Sequence, residues 1–338
     1  MQKKANVILC CDADQDRGQS KSIGPEEFSW KGISNGIPAL IDAVSDIENT
    51  HRIKVQFNWF FRSDLQMEKV YRNPAWPYES LRRVLDRVAR RGDEIGWHPH
   101  FWRLHDDGTS WFQETDDLGY IGLCLKKGFN AIPSDLRPRT VRTGWDFHNA
   151  FTMGSLSALG LVADLSALPG VSDVGRFDSK TGERIGVRDW DGVPDRPYVP
   201  SRGNYKLEAK NPAERLEIVE IPVSTYRLPS SMQLVKGVRN KLRGIKARTV
   251  LSEPYLTKSG KLLKAAVNYH LARRDAVNVP FVVEFHADEL LRDSGSYSLR
   301  NALKNISLLI DSYRKAGMHP SFSRAGDVAL ELREKWRK

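Results

Sequence analysis

Short apolar runs recur along the chain, and most of them end in polar residues. They are Val7–Cys11, Ile53–Phe61, Ile95–Trp97, Thr140–Val141, Val162–Ala163, Leu216–Val223 and Val279–Phe285. Longer segments lie between them, and in these the apolar residues repeat at helical spacing. Strands that alternate with helices predict a sheet or barrel of βα units, and they argue against a β-sandwich or a helical bundle.

Two helices can be placed from their own periodicity. Apolar residues recur at i, i+3, i+4 and i+7 in the first, at Leu81, Val84, Leu85 and Val88. Gly92 follows where such a helix would end, because glycine readily adopts the left-handed conformation of a C-terminal cap. The second helix runs from Leu299 and stops at Gly317, with Leu303, Ile306, Ile310 and Tyr313 on its apolar face.

The chain shows neither an internal repeat nor a low-complexity linker, so we expect one catalytic domain over residues 1–338. Residues 168–213 are rich in Gly, Pro, Asp and Arg and show little periodicity, which predicts an insertion or lid within that domain. The three cysteines are too few for a disulfide framework and are expected to be core thiols.

Composition narrows the cellular setting. The N-terminal apolar run is too short for a secretory leader, and no stretch reaches the roughly 18 apolar residues that cross a bilayer, so a cytoplasmic protein is expected.

The formal charge is +10, and six basic residues cluster within 236–248 with apolar residues between them. A surface helix explains this cluster, and a peripheral contact with anionic lipid at the inner face of the membrane is the alternative. Nucleic acid is not an expected partner, because no recognised binding motif accompanies the charge.

Asp12-Ala13-Asp14 closes the first predicted strand. Side chains alternate along a strand, so both carboxylates would project to the same side. Such a pair implies a bound cation, a raised pKa on one partner, or both. The pattern also occurs at solvated strand ends and in glycosyltransferases that use sugar nucleotides.

His98-Pro99-His100 follows another predicted strand, and its i, i+2 spacing places both imidazoles on one face. Two histidines and a carboxylate form a facial triad that suits zinc or another divalent transition metal, with positions open for water and substrate. His286 likewise closes a predicted strand, where functional groups of parallel α/β folds gather.

Five segments resemble, in order, the motifs of the polysaccharide deacetylase family, carbohydrate esterase family 4. They are Asp12-x-Asp14, Gly92 to His100, Arg142-Thr143-Gly144-Trp145 with Asn149, Leu159 to Ser166, and Phe285 to Leu290. The resemblance covers about 10–167 and 280–330. It implies a distorted (β/α)7-type barrel with the motif residues at one mouth.

The resemblance also implies roles for individual residues. Asp14, His98 and a second histidine would hold one divalent metal ion, with zinc the expected ion. Asp12 would be the general base, His286 the general acid, and Arg142 would orient the base. Many family members space their ligand histidines as His-x-x-x-His, whereas Trp102 stands at that position here, so His100 is inferred as the second ligand. The His-x-His spacing is similar to that of a cytoplasmic subgroup of the wider family, whose members carry Asp-x-Asp on the first strand.

Four further residues are candidate substrate contacts. Trp145 and Trp102 could offer aromatic faces to a sugar ring or could be core residues. Arg62 and Asp64, at the end of the second strand, could contact substrate or form a structural salt bridge.

The predicted function is a metal-dependent amidohydrolase that removes an N-acyl group, expected to be acetyl, from an amino sugar. The substrate would be a sugar, a sugar nucleotide or a lipid-linked glycan, and cell-envelope polysaccharide synthesis is the setting that the resemblance suggests. Two alternatives stay open. One is a metal-dependent glycosyltransferase that uses Asp12-x-Asp14, which would leave His98, His100 and His286 without a role. The other is an inactive homologue that binds a carbohydrate or glycolipid.

Overall fold

The computed structural model describes residues 3–18, 23–174, 186–228, 251–273, 275–293 and 295–337. The basic cluster at 236–248 lies outside these ranges, so its contact with lipid stays a prediction. None of the helices in the described ranges is long and apolar enough to cross a membrane. The three cysteines, Cys10, Cys11 and Cys124, are buried and unpaired, as predicted.

Parallel strands form the central sheet. In chain order the strands are β1 Lys3–Ala13, β2 Asn58–Arg62, β3 Glu94–His98, β4 Trp102–Leu104, β5 Trp111–Gln113, β6 Thr140–Val141, β7 Ala163–Asp164, β8 Val219–Glu220, β9 Tyr226–Arg227, β10 Leu251–Ser252, β11 Phe281–His286 and β12 Met318–Phe322. The order across the main sheet is β11-β1-β2-β3-β6-β7-β8, with β12 paired to the first half of β1. The pairs β4–β5 and β9–β10 stand apart from it.

The sheet curls towards closure. Just beyond β8, the backbone N–H of Ser224 donates to the carbonyl of Val282 in β11 (3.2 Å), and the Val282 N–H donates to the Ser224 hydroxyl (2.9 Å). These bonds bring the far end of the sheet back to its first strand. The predicted distorted (β/α) barrel of about seven strands is confirmed.

Helices cover the outside of the sheet. They are α1 Ile37–His51, α2 Leu65–Tyr71, α3 Trp76–Ser80, α4 Arg82–Arg91, α5 Leu118–Ala131, α6 Ala150–Ala158, α7 Gly260–Leu271, α8 Leu299–Lys315 and α9 Ala325–Arg337. Both helices predicted from periodicity are present. α4 ends at Gly92, which adopts a left-handed conformation with φ 82°. The chain after α8 turns at Gly317, whose φ is 74°.

The second strand begins later than its apolar run predicts. Ile53, Val55 and Phe57 are buried, but the segment is irregular and β2 starts only at Asn58. Two backbone N–H groups of this segment donate hydrogen bonds to side-chain carboxylates and not to a neighbouring strand. Val55 donates to Glu48 (2.7 Å) and Phe57 donates to Asp93 (3.2 Å). The hydrophobic pattern therefore indicates which residues are buried. Whether those residues pair as a strand also depends on side chains of other elements, here Glu48 and Asp93.

A long connection, residues 165–218, joins the neighbouring strands β7 and β8. The predicted insertion, 168–213, falls within it. In its described part, isolated bridges pair Ser172 with Asp189 and Pro200 with Glu208. Trp190 and Tyr198 are fully buried, so this part of the connection packs against the rest of the protein.

Candidate metal and catalytic site

Parallel strands bring the chemistry-bearing residues to one edge of the sheet. Asp12 at the end of β1 lies beside His286 at the end of β11. Arg62 at the end of β2 lies beside His98 at the end of β3. The carboxyl ends of parallel strands form the usual site-bearing edge of α/β folds, and this edge carries the predicted motif residues.

Asp14, His98 and His100 meet at this edge. One ligand atom from each lies within 4.8 Å of the other two. The two Nε2 atoms of the histidines are 3.1 Å apart, and His100 Nε2 is 3.1 Å from Asp14 Oδ2. Two imidazoles and a carboxylate are a donor set that suits a divalent transition metal.

The hydrogen bonds around His98 support this arrangement. Its Nδ1 lies 2.7 Å from the backbone carbonyl of Arg142. A carbonyl only accepts hydrogen bonds, so Nδ1 carries the proton and Nε2 keeps its lone pair directed at His100. Within the described residues, His100 Nδ1 has no hydrogen-bond partner. The three residues therefore fit a metal ion, although His98 is oriented more firmly than His100.

Asp14 is backed by a buried arginine. Arg62 Nη1 lies 3.1 Å from Asp14 Oδ1, and Arg62 Nε lies 2.6 Å from Asp64 Oδ2. Burial would raise the pKa of Asp14, but Arg62 and His100 outweigh it and hold that pKa far below its usual value. Burial, with Arg62 nearby, lowers the pKa of His100, which favours the neutral imidazole that a metal needs.

Asp12 has a different set of neighbours. Arg142 Nε lies 2.9 Å from its Oδ1 and donates a hydrogen bond to its Oδ2 at 3.2 Å. His286 Nε2 is 3.9 Å from Oδ2, and His98 Nδ1 is 3.9 Å from Oδ1. Oδ1 is enclosed and receives no well-formed hydrogen bond from a described residue, so its charge is balanced by the contact with Arg142.

A raised pKa on one aspartate, which was one of the two outcomes expected for the pair, is not found. Burial acts on Asp12 too, but Arg142 and the two neighbouring histidines lower its pKa below the ordinary value. Each aspartate has its own arginine, so both stay ionised without sharing a cation. Glu284 is a neighbouring carboxyl that behaves differently, and its Oε2 lies 2.5 Å from Arg142 Nη2. Burial, opposed by Arg142 and reinforced by nearby carboxylates, raises the pKa of Glu284 to about 8.

A cavity of about 250 Å³ opens over these groups. Asp12, Asp14, His98, His100, Arg142 and His286 all line it. The structure thus brings together the six residues predicted for metal binding and catalysis, and their roles remain predictions.

The four candidate substrate contacts divide into two groups. Trp145 lines the cavity. Trp102 is 1% exposed and lies behind the wall, with its ring stacked on His100 at 6.1 Å. Arg62 and Asp64 have no exposed surface and bond to each other, which favours the structural salt bridge over direct substrate contact.

Some cavity residues escaped the sequence analysis, among them Arg17, Arg188 and Tyr255. Arg17 stands three residues after Asp14, so the rule that polar strand ends carry function could have found it. Arg188 and Tyr255 lie in segments without periodicity, and no sequence signal marked them.

Comparisons with known proteins bear on the fold. No known protein-family profile matches the chain, and no curated protein matches it in sequence. A solved structure from Mycobacterium smegmatis, provisionally described as a polysaccharide deacetylase, is 15% identical with a TM-score of 0.52; the match covers 99% of this chain and 92% of that one. Another from Parabacteroides distasonis, provisionally described as a glycoside hydrolase/deacetylase, is 11% identical with a TM-score of 0.59; the match covers 100% and 73%. At such identities the likeness shows a shared fold, the fold that the motif resemblance implied.

Proposed function

We propose that the protein is a metal-dependent hydrolase of the polysaccharide deacetylase type, which removes an N-acyl group, in the simplest case acetyl, from an amino sugar. The observation that supports this most directly is the convergence of two sets of groups in one cavity. Asp14, His98 and His100 supply a metal donor set, and Asp12 and His286 supply a base and an acid beside it.

The donor set would hold a divalent ion, with zinc the first choice for two imidazoles and a carboxylate. When bound, such an ion polarises a carbonyl group and acidifies a water molecule. The hydrogen bond at Nδ1 of His98 leaves its Nε2 as the atom that faces the donor set, and the Asp14 carboxylate is held in the ionised form that binding needs.

Asp12 is suited to accept the proton of the attacking water. Its carboxylate is kept ionised by Arg142, and the residue lines the cavity with its Oδ2 3.9 Å from His286 Nε2. Arg142 is itself fixed by the Leu165 carbonyl at 2.8 Å and by Glu284, so it holds the orientation of the base.

His286 is suited to protonate the leaving amine. Its side chain is 28% exposed at the cavity mouth, and its Nε2 is 3.9 Å from the same Asp12 carboxylate. The C–O bond forms from water, the amide C–N bond breaks, and the proton taken from water is balanced by the proton delivered to nitrogen. An imidazole of near-neutral pKa can carry out that delivery.

The glycosyltransferase alternative fits this geometry less well. A transferase of that type would use both aspartates around one cation, whereas here Asp12 bonds to Arg142 and Asp14 bonds to Arg62 and His100. The histidines would also have no role in it.

The test combines metal analysis with acetate release. Purified protein loaded with Zn²⁺, Co²⁺ or Mn²⁺ is assayed on N-acetylated amino sugars, their nucleotide derivatives and lipid-linked forms. We expect Asp12→Asn and His286→Gln to keep the metal and lose at least about 100-fold in kcat, the usual range for an acid or base. His98→Ala should lose the metal. His319→Gln, an exposed histidine on β12, is the matched control.

Two results would contradict the proposal. Full activity of Asp12→Asn would remove its role as base. Stoichiometric metal with no hydrolysis of any substrate would favour the homologue that binds carbohydrate without cleaving it.

A further inference from the structure

The turn at Trp145–Asp146 has an unusual backbone. Both residues have positive φ, 58° and 51°. Arg52 and Arg72, which also have positive φ, are C-terminal caps of α1 and α2, where the left-handed conformation is common. Trp145 and Asp146 lie in a short 3-10 turn instead. Such strain, least favourable for a bulky residue, persists only where the surroundings enforce it, and it concentrates at functional sites.

The turn is held from two sides. Arg142 Nη2, on the barrel side, is 2.8 Å from Asp146 Oδ1. The β7–β8 connection holds the other side. Trp190 Nε1 donates to the Asp146 carbonyl at 2.8 Å, and Arg188 Nη1 lies 3.7 Å from Asp146 Oδ2.

Both holding residues are themselves fixed. Arg188 makes two contacts to Asp173 Oδ2, from Nε at 2.9 Å and from Nη2 at 2.8 Å. Trp190 is fully buried and packs edge-on against His148 and Tyr205, at centroid distances of 5.6 and 5.4 Å. The part of the β7–β8 connection that contacts the Trp145–Asp146 turn is therefore held in place by its own contacts.

The conformation of the turn determines where the Trp145 indole stands. That ring lines the cavity and meets Trp102 edge-on at 5.3 Å, and Trp102 in turn stacks on His100. Trp145 thus forms an aromatic part of the cavity wall, next to Trp102. A displaced turn would move this wall and leave Asp14 and His98 in place.

We propose that Arg188 and Trp190 are positioning residues: the β7–β8 connection holds the strained Trp145–Asp146 turn and thereby sets the aromatic wall against which the acylated sugar ring binds. The role of the wall towards substrate rests on the function proposed above. The hold on the turn does not, because it can be measured without substrate.

The experiment compares Arg188→Met and Trp190→Phe with Arg196→Met in the Zn²⁺-loaded protein. Arg196 lies in the same connection but pairs with Glu208 at the surface, so it controls for the loss of an arginine there. The tryptophans are replaced by 5-fluorotryptophan, and the ¹⁹F resonance of Trp145 is assigned by its absence in Trp145→Phe. Zn²⁺ affinity is measured by chelator competition, and KM and kcat are measured by acetate release.

We expect the Trp145 resonance to shift or broaden in Arg188→Met and Trp190→Phe while Zn²⁺ affinity is kept. KM should rise about tenfold, equivalent to about 1.4 kcal/mol, with kcat changed less than threefold. Arg196→Met should match the wild type in every measurement.

An unchanged Trp145 resonance in Arg188→Met overturns the proposal, as does a shift that affects all tryptophans equally, which would indicate a merely structural role. If Trp190→Phe does not fold, Arg188→Met decides, because Arg188 is 29% exposed and its loss leaves the core intact. If no substrate is hydrolysed by the wild type, the proposed function fails, and the ¹⁹F result still stands on its own.

Discussion

Gly144 offers a way to disturb the proposed metal site without changing a proposed ligand. A Cβ added at Gly144 would lie 2.3 Å from His100 Nδ1 and 2.4 Å from Cγ and Cε1 of the same ring. The φ of Gly144 is not positive, so the backbone itself accepts alanine. Gly144→Ala therefore acts by steric contact on one imidazole.

The size of the effect follows from these distances. Ordinary van der Waals contact needs about 3.5 Å, so the ring must retreat by about 1 Å. The ring has close neighbours, because the buried Trp102 stacks on it with the centroids 6.1 Å apart and His98 meets it edge-on at 4.8 Å. Metal–ligand distances tolerate only about 0.2 Å. We expect Zn²⁺ affinity to fall at least about tenfold, or ~1.4 kcal/mol, and the free energy of unfolding of the metal-free protein to fall by about 1–3 kcal/mol through overpacking.

The assay is competition with a chelator for Zn²⁺, beside urea unfolding of the metal-free protein. Gly154→Ala is the matched control, because a Cβ there meets nothing within 4 Å and the residue lies inside α6. Alanine in a helix should stabilise that variant by about 0.5–1 kcal/mol and leave the metal affinity unchanged. Wild-type affinity in Gly144→Ala, together with loss of metal in His100→Ala, would show that the ring does not stand where the structure places it.

Three further changes test other parts of the molecule. Burial, with Arg273 nearby, lowers the pKa of His270 to about 4 from 6.5. As the pH falls, the unfolded chain takes up the proton first, so the free energy of unfolding should fall by up to about 3 kcal/mol between pH 6.5 and pH 4. Urea titrations should find this pH dependence reduced in His270→Phe. Arg62→Met should cost about 3–5 kcal/mol because it leaves Asp14 and Asp64 buried without their cation, whereas Arg82→Met, at a surface ion pair, should cost under about 1 kcal/mol in the same measurement. A Cβ on Gly32 would lie 2.5 Å from the backbone nitrogen of Asp288, so Gly32→Ala should displace the turn after His286 and reduce kcat more than about tenfold while Zn²⁺ affinity is kept; equal losses of both would contradict this.

Local patterns were sufficient for the parts of the site that sit on regular elements. Polar residues at strand ends placed Asp12, His98 and His286 at one edge because the edge follows from parallel topology alone. The end of α4 at Gly92 could be predicted because the helical spacing of apolar residues stops at that glycine. Each of these features depends on residues a few positions apart in the chain.

Features that depend on distant partners could not be predicted. The sequence left open whether Arg62 meets substrate or a carboxylate, since nothing near it in the chain shows that it is fully enclosed. The start of β2 depends on Glu48 and Asp93, and the strained turn at Trp145 depends on Arg188 and Trp190, more than forty positions away. In each case a side chain from another element satisfies a charge or a backbone group, and the sequence gives no spacing rule for such contacts.

The two aspartates of the first strand show why this matters for function. As a sequence pattern they are equivalent, and a shared cation is the simplest way to keep both ionised. In the structure Arg62 stands behind one and Arg142 behind the other, so the carboxylates are compensated before any metal arrives. A structural zinc site, by contrast, contributes the folding energy that its ligands lack without it. The charge balance at Asp12 and Asp14 therefore predicts that the fold does not depend on a metal ion at this site, because the arginines already compensate both carboxylates.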